Sequence, residues 1–312
     1  MKKAVFMGTP DFAVPILEAL IHSDIVNVVL VVTQPDRPVG RKRVLTAPPV
    51  KKAALKHGIP VFQPEKLKDE YEEILKYEPD IIITAAYGQL LPKPLLDLPK
   101  FGCINVHASL LPELRGGAPI HYAILEGKKE TGITIMYMEE KLDAGDIISR
   151  EKIPIEMSDH VGTLHDKLAK LGADLLLKTL PSIFAGTNER IKQDETKATY
   201  APNITREQEK IDWTKSSEEV YNHIRGLHPW PVAYTTYKGE RWKIWWGEMD
   251  DATFDGEPGE IAAIDDASIT VVCGDKKGIR LVEIQPSGKK RMSVSEFLRG
   301  NKDLVALGDI LE

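Results

Sequence analysis

Cysteine is scarce in this sequence, and long apolar runs are absent from it. The only two cysteines among the 312 residues are Cys103 and Cys273, and they form no CxxC pair. A disulfide framework is therefore excluded, and no cluster of His, Cys and acidic residues has the spacing of a metal site. No stretch reaches the roughly 18 apolar residues that cross a bilayer, and the apolar run after Met1 ends at Gly8, too early for a signal peptide. We expect a protein of the reducing cytoplasm with no membrane partner.

An excess of positive charge is also missing. The chain carries 41 Lys and Arg against 47 Asp and Glu, which gives a net charge of −6 at pH 7. This balance excludes a generally basic nucleic-acid binder, so a nucleic-acid partner would have to meet a local basic patch. At roughly 100–200 residues per domain, the length predicts two domains.

The glycine-rich loop of dinucleotide-binding enzymes is lacking as well. Where a GxGxxG turn would follow the first strand, the sequence has Gly8-Thr9-Pro10-Asp11-Phe12, with a single glycine. Pro10 has no backbone N–H with which to meet a pyrophosphate. An NAD-dependent enzyme is therefore disfavoured, and Gly8 is interpreted as the residue that makes the turn from strand to helix.

The first half of the chain alternates β-branched apolar runs with amphipathic segments. Runs that are apolar on both faces are typical of strands buried in a parallel sheet. Alternation of such strands with helices predicts a doubly wound, mostly parallel, Rossmann-like α/β sheet. The predicted strands are 4–7, 26–33, 80–84 and 102–107, and the helices between them are 12–22, 49–57, 67–77 and 92–98. A longer helix, 162–184, is predicted to close this domain.

The second half has a different character. A polar stretch after residue 185 is interpreted as a linker, and one helix, 217–227, follows it. Five short strands with turn residues between them then match the strand count of an OB-like β-barrel. We predict a catalytic domain over 1–189, a linker over 190–208 and an OB-like domain over 209–312. The five strands are 233–237, 241–246, 259–264, 268–272 and 279–284.

Three polar residues stand where chemistry is expected. Asn105 and His107 end a predicted strand, on the edge where open α/β sheets bind ligands. Strand alternation places both side chains on one face, about 7 Å apart. Asp143 lies in the loop Leu142-Asp143-Ala144-Gly145-Asp146, and an amide, an imidazole and a carboxylate can together stabilise an oxyanion and move a proton. The same residues are equally compatible with a turn cap, a structural histidine and a turn aspartate.

Basic residues cluster in two places despite the negative net charge. The long loop after the second predicted strand carries one cluster, and a second lies near the carboxy terminus. A basic run of this kind is either a solvated surface or a nucleic-acid contact. The residues concerned are Arg37, Arg41, Lys42 and Arg43 in the loop, and Lys289, Lys290 and Arg291 in the second half.

Motifs along almost the whole chain resemble those of the 10-formyltetrahydrofolate-dependent formyltransferases. The tracts 102–112 and 142–146, which hold the three polar residues, carry the resemblance. It also includes 7–12, 33–41, 49–51, 86–92, 115–120, 229–231 and 285–290. Within this family the chain is most similar to the branch whose acceptor is methionine on initiator tRNA. The resemblance implies that Asn105, His107 and Asp143 are catalytic. In that interpretation Asn105 and protonated His107 donate hydrogen bonds to an oxyanion, and Asp143 holds the other nitrogen of His107.

The resemblance also implies the partners. 10-Formyltetrahydrofolate is the co-substrate, initiator methionyl-tRNA is the acceptor, and neither a metal nor an obligate protein partner is needed. Formyl transfer to an amino-sugar nucleotide or to glycinamide ribonucleotide, hydrolysis of the formylated folate, and a non-catalytic RNA-binding module are the alternatives. The basic residues above would contact tRNA, with Arg41 at the acceptor end. The folate would lie against Gln89, Leu90, Leu91, Ser109, Leu110, Leu111 and Pro112.

Overall fold

Two compact units divide the chain in the computed structural model, which describes residues 1–312. The first unit consists of Met1–Pro119, Glu130–Pro154 and His165–Pro202. The second consists of Ile120–Lys129, Ile155–Leu164 and Asn203–Glu312. The two short segments 120–129 and 155–164 therefore belong to the same unit as the carboxy-terminal residues.

A seven-stranded sheet forms the centre of the first unit. Its strands have the order β5-β2-β1-β6-β7-β8-β9. The first five are parallel, whereas β8 runs antiparallel to both of its neighbours, so the predicted doubly wound, mostly parallel sheet is confirmed. The strands of the unit, including the separate hairpin β3-β4, are β1 (Lys2–Gly8), β2 (Val26–Val32), β3 (Arg37–Val39), β4 (Val44–Thr46), β5 (Val61–Phe62), β6 (Ile81–Ala85), β7 (Cys103–His107), β8 (Glu130–Tyr137) and β9 (Ile147–Pro154).

Helices connect these strands at nearly the predicted positions. Pro15 and Pro49 stand in the first turns of their helices, where the missing N–H costs no hydrogen bond. The predicted helix 67–77 is instead two short helices, broken at Tyr71. No helix of the chain is long and apolar enough to cross a membrane. The helices are α1 (Val14–Ile21), α2 (Pro49–Lys56), α3 (Leu67–Glu70), α4 (Glu72–Leu75), α5 (Lys93–Leu96), α6 (Pro119–Leu125) and α7 (Val161–Ala185).

Close packing explains the glycine after the first strand. A Cβ atom at Gly8 would lie 2.8 Å from the Cβ of Ala13 and 2.8 Å from the carbonyl oxygen of Ala85. Both distances are shorter than carbon contacts in folded proteins, so β1 reaches β6 and the following turn only with glycine here. The Thr9 hydroxyl then donates to the carbonyl oxygen of Tyr87 at 2.8 Å and ties the turn to the end of β6.

The second unit is built on a six-stranded antiparallel sheet. The path β10-β11-β14-β13-β12 confirms the five predicted strands, and β15 pairs with β14 outside that path. Residues near the carboxy terminus bridge both edges, because Leu311 pairs with Tyr237 and Ile310 pairs with Glu260. The helix α9 was not predicted. The elements are α8 (Ser217–Arg225), β10 (Ala233–Tyr237), β11 (Glu240–Asp250), β12 (Ile261–Ile264), β13 (Ile269–Val272), β14 (Gly278–Pro286), β15 (Met292–Ser293) and α9 (Val294–Asn301).

Candidate functional site

Asn105 lies in β7 between two neighbouring strands, one of which orients its side chain. It is in register with Thr84 of β6 and Met136 of β8. The Thr84 hydroxyl donates to Oδ1 of Asn105 at 2.7 Å, which orients the amide. Because Oδ1 is the acceptor, the NH2 group points away from Thr84, and none of the hydrogen bonds of the structure uses it. Asn105 therefore presents a fixed donor that is only half-buried.

His107 is buried two residues further along the same strand, with only 7% of its side chain exposed. Its Nε2 lies 2.9 Å from the carbonyl oxygen of Leu114. A carbonyl oxygen only accepts, so Nε2 carries a proton and Nδ1 is the second nitrogen available for chemistry. Nδ1 lies 3.8 Å from Oδ2 of Asp143. We expected one nitrogen to face Asp143 and the other an oxyanion, and the structure instead commits Nε2 to the backbone.

Asp143 reaches this histidine from an unusual backbone conformation. Its φ is +53°, in the left-handed region that costs free energy for a non-glycine residue. Oδ2 accepts the backbone N–H of Gly116 at 2.8 Å, and the side chain is 8% exposed. Two residues later, a Cβ at Gly145 would lie 1.7 Å from the carbonyl oxygen of Tyr137, so only glycine fits. The loop is thus held tightly on both sides of the carboxylate.

Together the three residues offer complementary chemistry at the carboxyl end of the sheet. Asn105 supplies an oriented neutral donor, and His107 supplies a ring nitrogen that faces a buried carboxylate. Both side chains are buried, and charges interact strongly where water is excluded. The structure therefore brings together all three residues that the sequence indicated, in an arrangement able to bind a developing negative charge.

Sequence reasoning missed a buried polar network behind Asp143. Gln193 donates through Nε2 to the carbonyl oxygens of Asp143 and Gly145, each at 2.8 Å. Its Oε1 accepts from Nη2 of Arg115 at 2.8 Å, and Arg115 also holds Glu195 through two bonds of 2.9 and 3.0 Å. The Arg115 guanidinium, followed by Lys141, lowers the pKa of Glu195 to about 2. The only sequence signal was the position of Arg115 in the 115–120 motif.

The segment expected to bind folate from one side is only partly accessible. Both ends of the Gln89 amide are used, since Oε1 accepts from the Leu67 N–H at 2.8 Å and Nε2 donates to the Gln34 amide at 3.1 Å. The Leu91 side chain belongs to the hydrophobic core. Leu90, by contrast, is 65% exposed. Within this segment the Leu90 side chain is the one open to a ligand, whereas Gln89 shapes the backbone around it.

The second expected folate segment is fixed by hydrogen bonds to its backbone. The hydroxyl of Ser109 donates to the carbonyl oxygen of Glu113 at 2.6 Å, and Thr134 donates to the Ser109 carbonyl oxygen at 2.7 Å. Leu111 is fully buried, and its carbonyl oxygen accepts from Arg150 at 2.8 Å. Leu110 and Pro112 are half-buried on either side of it. The segment is therefore rigid next to His107.

The basic loop is an exposed β-hairpin rather than an irregular loop. Arg37 pairs with Thr46 and Val39 pairs with Val44 across the two strands. Its turn consists of Gly40 and three exposed basic residues with no salt-bridge partner: Arg41, Lys42 and Arg43. Arg37 at the base forms an exposed ion pair with Glu65 at 3.6 Å. The hairpin thus presents its uncompensated positive charge at the tip.

The second basic cluster, in the other unit, is largely compensated. Arg291 pairs with Glu283 and stacks on the Trp245 ring, with its guanidinium carbon 4.0 Å from the ring centroid. Lys290 lies 3.7 Å from Glu296. Lys289 is exposed, and no acidic side chain forms a salt bridge with it. Of these three residues, Lys289 therefore offers the most available charge.

One further group of side chains has the composition of a metal site. Ligand atoms of Glu18 in α1, and of His22 and His57 directly after α1 and α2, lie within 4.8 Å of one another. His57 is hydrogen-bonded to the Glu18 carboxylate at 2.8 Å, and His22 to the Glu18 carbonyl oxygen at 2.8 Å. Each histidine thus already uses one ring nitrogen in a hydrogen bond within the protein.

Both halves of the chain match families of known proteins. Residues 1–180 match the family described as Formyl transferase, and residues 203–302 match the family described as Formyl transferase, C-terminal domain. The chain is 64% identical over 302 residues to the methionyl-tRNA formyltransferase of Geobacillus sp. (strain WCH70). That alignment covers 96% of this chain and 95% of the relative.

Two solved structures share the fold at low sequence identity. The N-formyltransferase from Helicobacter canadensis in complex with folinic acid and dTDP-3-aminofucose has a TM-score of 0.69 at 21% identity, over 90% of this chain and 99% of its own. HypX from Aquifex aeolicus in complex with tetrahydrofolic acid has a TM-score of 0.64 at 15% identity, over 96% of this chain and 47% of its own. The chain thus spans about half the length of HypX.

Proposed function

The chain belongs to the formyl transferase family, and on that premise we propose that it transfers a formyl group from 10-formyltetrahydrofolate to the α-amino group of methionine on initiator tRNA. The observation that carries the proposal is the 64% identity to a methionyl-tRNA formyltransferase over 95% of that protein. The alignment covers 96% of this chain, so it extends over both units. The folate is a co-substrate, no metal takes part, and the reaction belongs to the cytoplasm.

The transfer begins when the neutral amine of methionine attacks the formyl carbon. A C–N bond forms, the formyl oxygen becomes an oxyanion, and the nitrogen acquires a positive charge. The Asn105 amide is the donor assigned to that oxygen, because Thr84 already holds its Oδ1 and leaves the NH2 free to donate. A donor fixed before the charge develops is typically worth about 3–4 kcal/mol in the transition state.

His107 and Asp143 are assigned to the oxyanion charge and to the proton of the amine in the remaining steps. Nδ1 of His107 lies 3.8 Å from Oδ2 of the Asp143 carboxylate, and because Nε2 is bound to the Leu114 carbonyl oxygen, Nδ1 is the ring nitrogen assigned to the reacting groups. The attacking nitrogen loses a proton to this pair, directly or through water. When the intermediate collapses, the bond between the formyl carbon and N10 of the folate breaks, and that nitrogen takes up a proton. The products are tetrahydrofolate and N-formylmethionyl-tRNA.

The surrounding segments are assigned to the two substrates. The rigid Ser109–Pro112 segment and Leu90 line the folate site, with Gln89 and Leu91 supporting its backbone. The hairpin tip at Arg41–Arg43 and the exposed Lys289 are the cations assigned to tRNA phosphates, because none of them has an acidic partner within the protein. Lys290 and Arg291, which are paired with acids, contribute less. Arg37 supports the base of the hairpin.

One assay separates this function from its alternatives. The full-length protein is incubated with 10-formyltetrahydrofolate and with methionyl initiator tRNA, a dTDP-amino sugar, glycinamide ribonucleotide or no acceptor, and release of tetrahydrofolate is followed. We expect rapid release only with methionyl-tRNA. Turnover with the amino sugar alone would favour formyl transfer to an amino-sugar nucleotide, the class of ligand bound by the Helicobacter canadensis protein. Equal release without acceptor would indicate a hydrolase, and no release at all a binding protein.

Arg41→Ala is expected to weaken the tRNA step by about 1–3 kcal/mol while folate binding stays unchanged. Arg41 lies at the exposed hairpin tip, where a guanidinium can bind phosphate bidentately and stack on an opened base. Arg41→Lys should recover only part of the loss. If Arg41 neutralises a phosphate, its removal also lowers the slope of log K against log salt by about 0.7–0.9.

The measurement is kcat/KM for initiator and elongator methionyl-tRNA at several salt concentrations. Lys76→Ala, which removes a lysine paired with Glu73 on α4, serves as the matched loss of one charge. Equal losses for the two tRNAs, together with an unchanged salt slope, would show that Arg41 neither reads the acceptor end nor binds phosphate.

A further inference from the structure

Gln193 lies in the segment predicted to be a linker, yet it is 4% exposed. Its Nε2 donates to the carbonyl oxygens of Asp143 and Gly145, so one amide group clamps the catalytic loop at two points. A buried amide that satisfies two backbone carbonyls is costly to remove, because both acceptors lose their partner away from water. These two hydrogen bonds, which we call the clamp, hold the backbone at Asp143, whose φ of +53° must be maintained by its surroundings.

The clamp is itself held by charge. Arg115, 1% exposed, donates to Oε1 of Gln193 at 2.8 Å and forms two hydrogen bonds to the Glu195 carboxylate. Lys141 lies 3.1 Å from the same carboxylate. The planar guanidinium has a fixed donor geometry, so it determines which end of the Gln193 amide faces the loop. Oε1 faces Arg115, and Nε2 therefore faces Asp143.

The same segment of chain also positions the group that binds the Asp143 carboxylate. The Arg115 N–H donates to the carbonyl oxygen of Thr199 at 2.9 Å, and the Ala201 N–H donates to the Arg115 carbonyl oxygen. These bonds fix the backbone at Gly116, whose N–H holds Oδ2 of Asp143. Thr199 further accepts the N–H of Leu114, the residue that binds Nε2 of His107. Residues 193–201 thus brace both members of the His107–Asp143 pair.

From this arrangement we infer that Gln193 is a positioning residue for catalysis, which keeps the 142–146 loop in the one conformation that directs the Asp143 carboxylate at His107. The kinetic effects expected from this inference rest on the proposed function, whereas the hydrogen bonds of the clamp do not depend on it. It gives this segment, which was predicted to be a linker but belongs to the first unit, a role in turnover rather than in simple connection. The depressed pKa of Glu195, caused by Arg115 and then Lys141, agrees with a charged and ordered anchor for the clamp.

Two full-length variants test the clamp. Gln193→Met keeps the volume and removes all polar contacts, whereas Gln193→Glu keeps the contact to Arg115 and replaces the two donated hydrogen bonds by repulsion between a carboxylate oxygen and the two carbonyl oxygens. We expect each to lower kcat by about 10- to 100-fold, because misplacing a catalytic group by about 1 Å has an effect of that size. The KM values for folate and tRNA should change by less than about threefold, since Gln193 is buried behind the loop. Lys192→Ala, at the exposed neighbouring position, should leave kcat unchanged.

A double-mutant cycle distinguishes positioning from general destabilisation. Once Asp143 is changed to Asn the loop no longer presents a carboxylate, so adding Gln193→Met should lower kcat by less than about threefold more. An equal loss in both backgrounds, or wild-type kcat in both Gln193 variants, would overturn the inference. Thermal melting of each variant shows whether the sheet remains folded.

Hydrogen exchange provides a readout that does not depend on the acceptor. In Gln193→Met the amides of residues 142–146 should exchange at least about tenfold faster, with the strands unchanged, since the loop opens locally. Unchanged exchange would refute the clamp even in an active enzyme. If the wild-type protein fails to formylate methionyl-tRNA, the proposed function fails, while faster exchange in the variant still supports the clamp.

Discussion

Asn105→Ala is expected to lower kcat for formyl transfer by about 100- to 1000-fold, the usual consequence of removing one oxyanion donor. The NH2 of Asn105 is oriented by the 2.7 Å hydrogen bond from Thr84 to Oδ1, so the donor is in place before negative charge develops on the formyl oxygen. Water entering the space left by the side chain has no such fixed orientation. The measurement is single-turnover transfer at saturating folate and methionyl-tRNA, which reports the chemical step.

Three further variants show which property of Asn105 matters. Asn105→Asp keeps the shape and loses the donor, so it should be as slow as the alanine variant. Thr84→Val leaves the donor but removes the bond that orients it, so its loss of rate should be intermediate. Asn188→Ala, which removes an amide bonded to the Tyr137 hydroxyl, is the matched control and should transfer at the wild-type rate. A near-normal rate in both Asn105 variants would remove this residue from the mechanism.

Asp143→Asn should lower kcat by about 100-fold or more, although the shape of the loop is preserved. An asparagine can still accept the Gly116 N–H through its amide oxygen, and its backbone can still accept from Gln193. What it loses is the negative charge 3.8 Å from Nδ1 of His107, which in the proposed mechanism helps to take up the proton from the amine. The expected loss is therefore one of chemistry rather than of folding.

The matched control for this change lies three residues away in the same loop. Asp146→Asn removes a carboxylate that pairs with Arg190 at 3.2 Å on a partly exposed surface. Exposed pairs of this kind contribute little to stability, so both melting temperature and kcat should stay near the wild-type values. If Asp143→Asn and Asp146→Asn had equal rates, Asp143 would be a turn residue and His107 would act without a partner.

The positions of several residues could be predicted because they follow from local patterns. The period of two along a strand placed Asn105 and His107 on one face, and the lone glycine of the first turn indicated that this was no dinucleotide loop. Both features depend on a few neighbouring residues. The structure confirms that Asn105 and His107 lie in one strand and that Gly8 stands at a tight turn. The hairpin was missed because its strands are three residues each and Pro38 obscures their alternation.

The sequence alone determined the alternation of strands and helices in the first half of the chain, the strand that carries Asn105 and His107, and the family to which the chain belongs, because periodicity and motifs are properties of contiguous residues. Only the tertiary structure decided which nitrogen of His107 is available, since Nε2 is taken by the carbonyl oxygen of Leu114. It also revealed Gln193, which bonds to backbone atoms of Asp143 fifty positions away in the chain. Hydrogen-bond direction between buried groups depends on distances and angles that arise when remote segments meet, and no local pattern of residues encodes them.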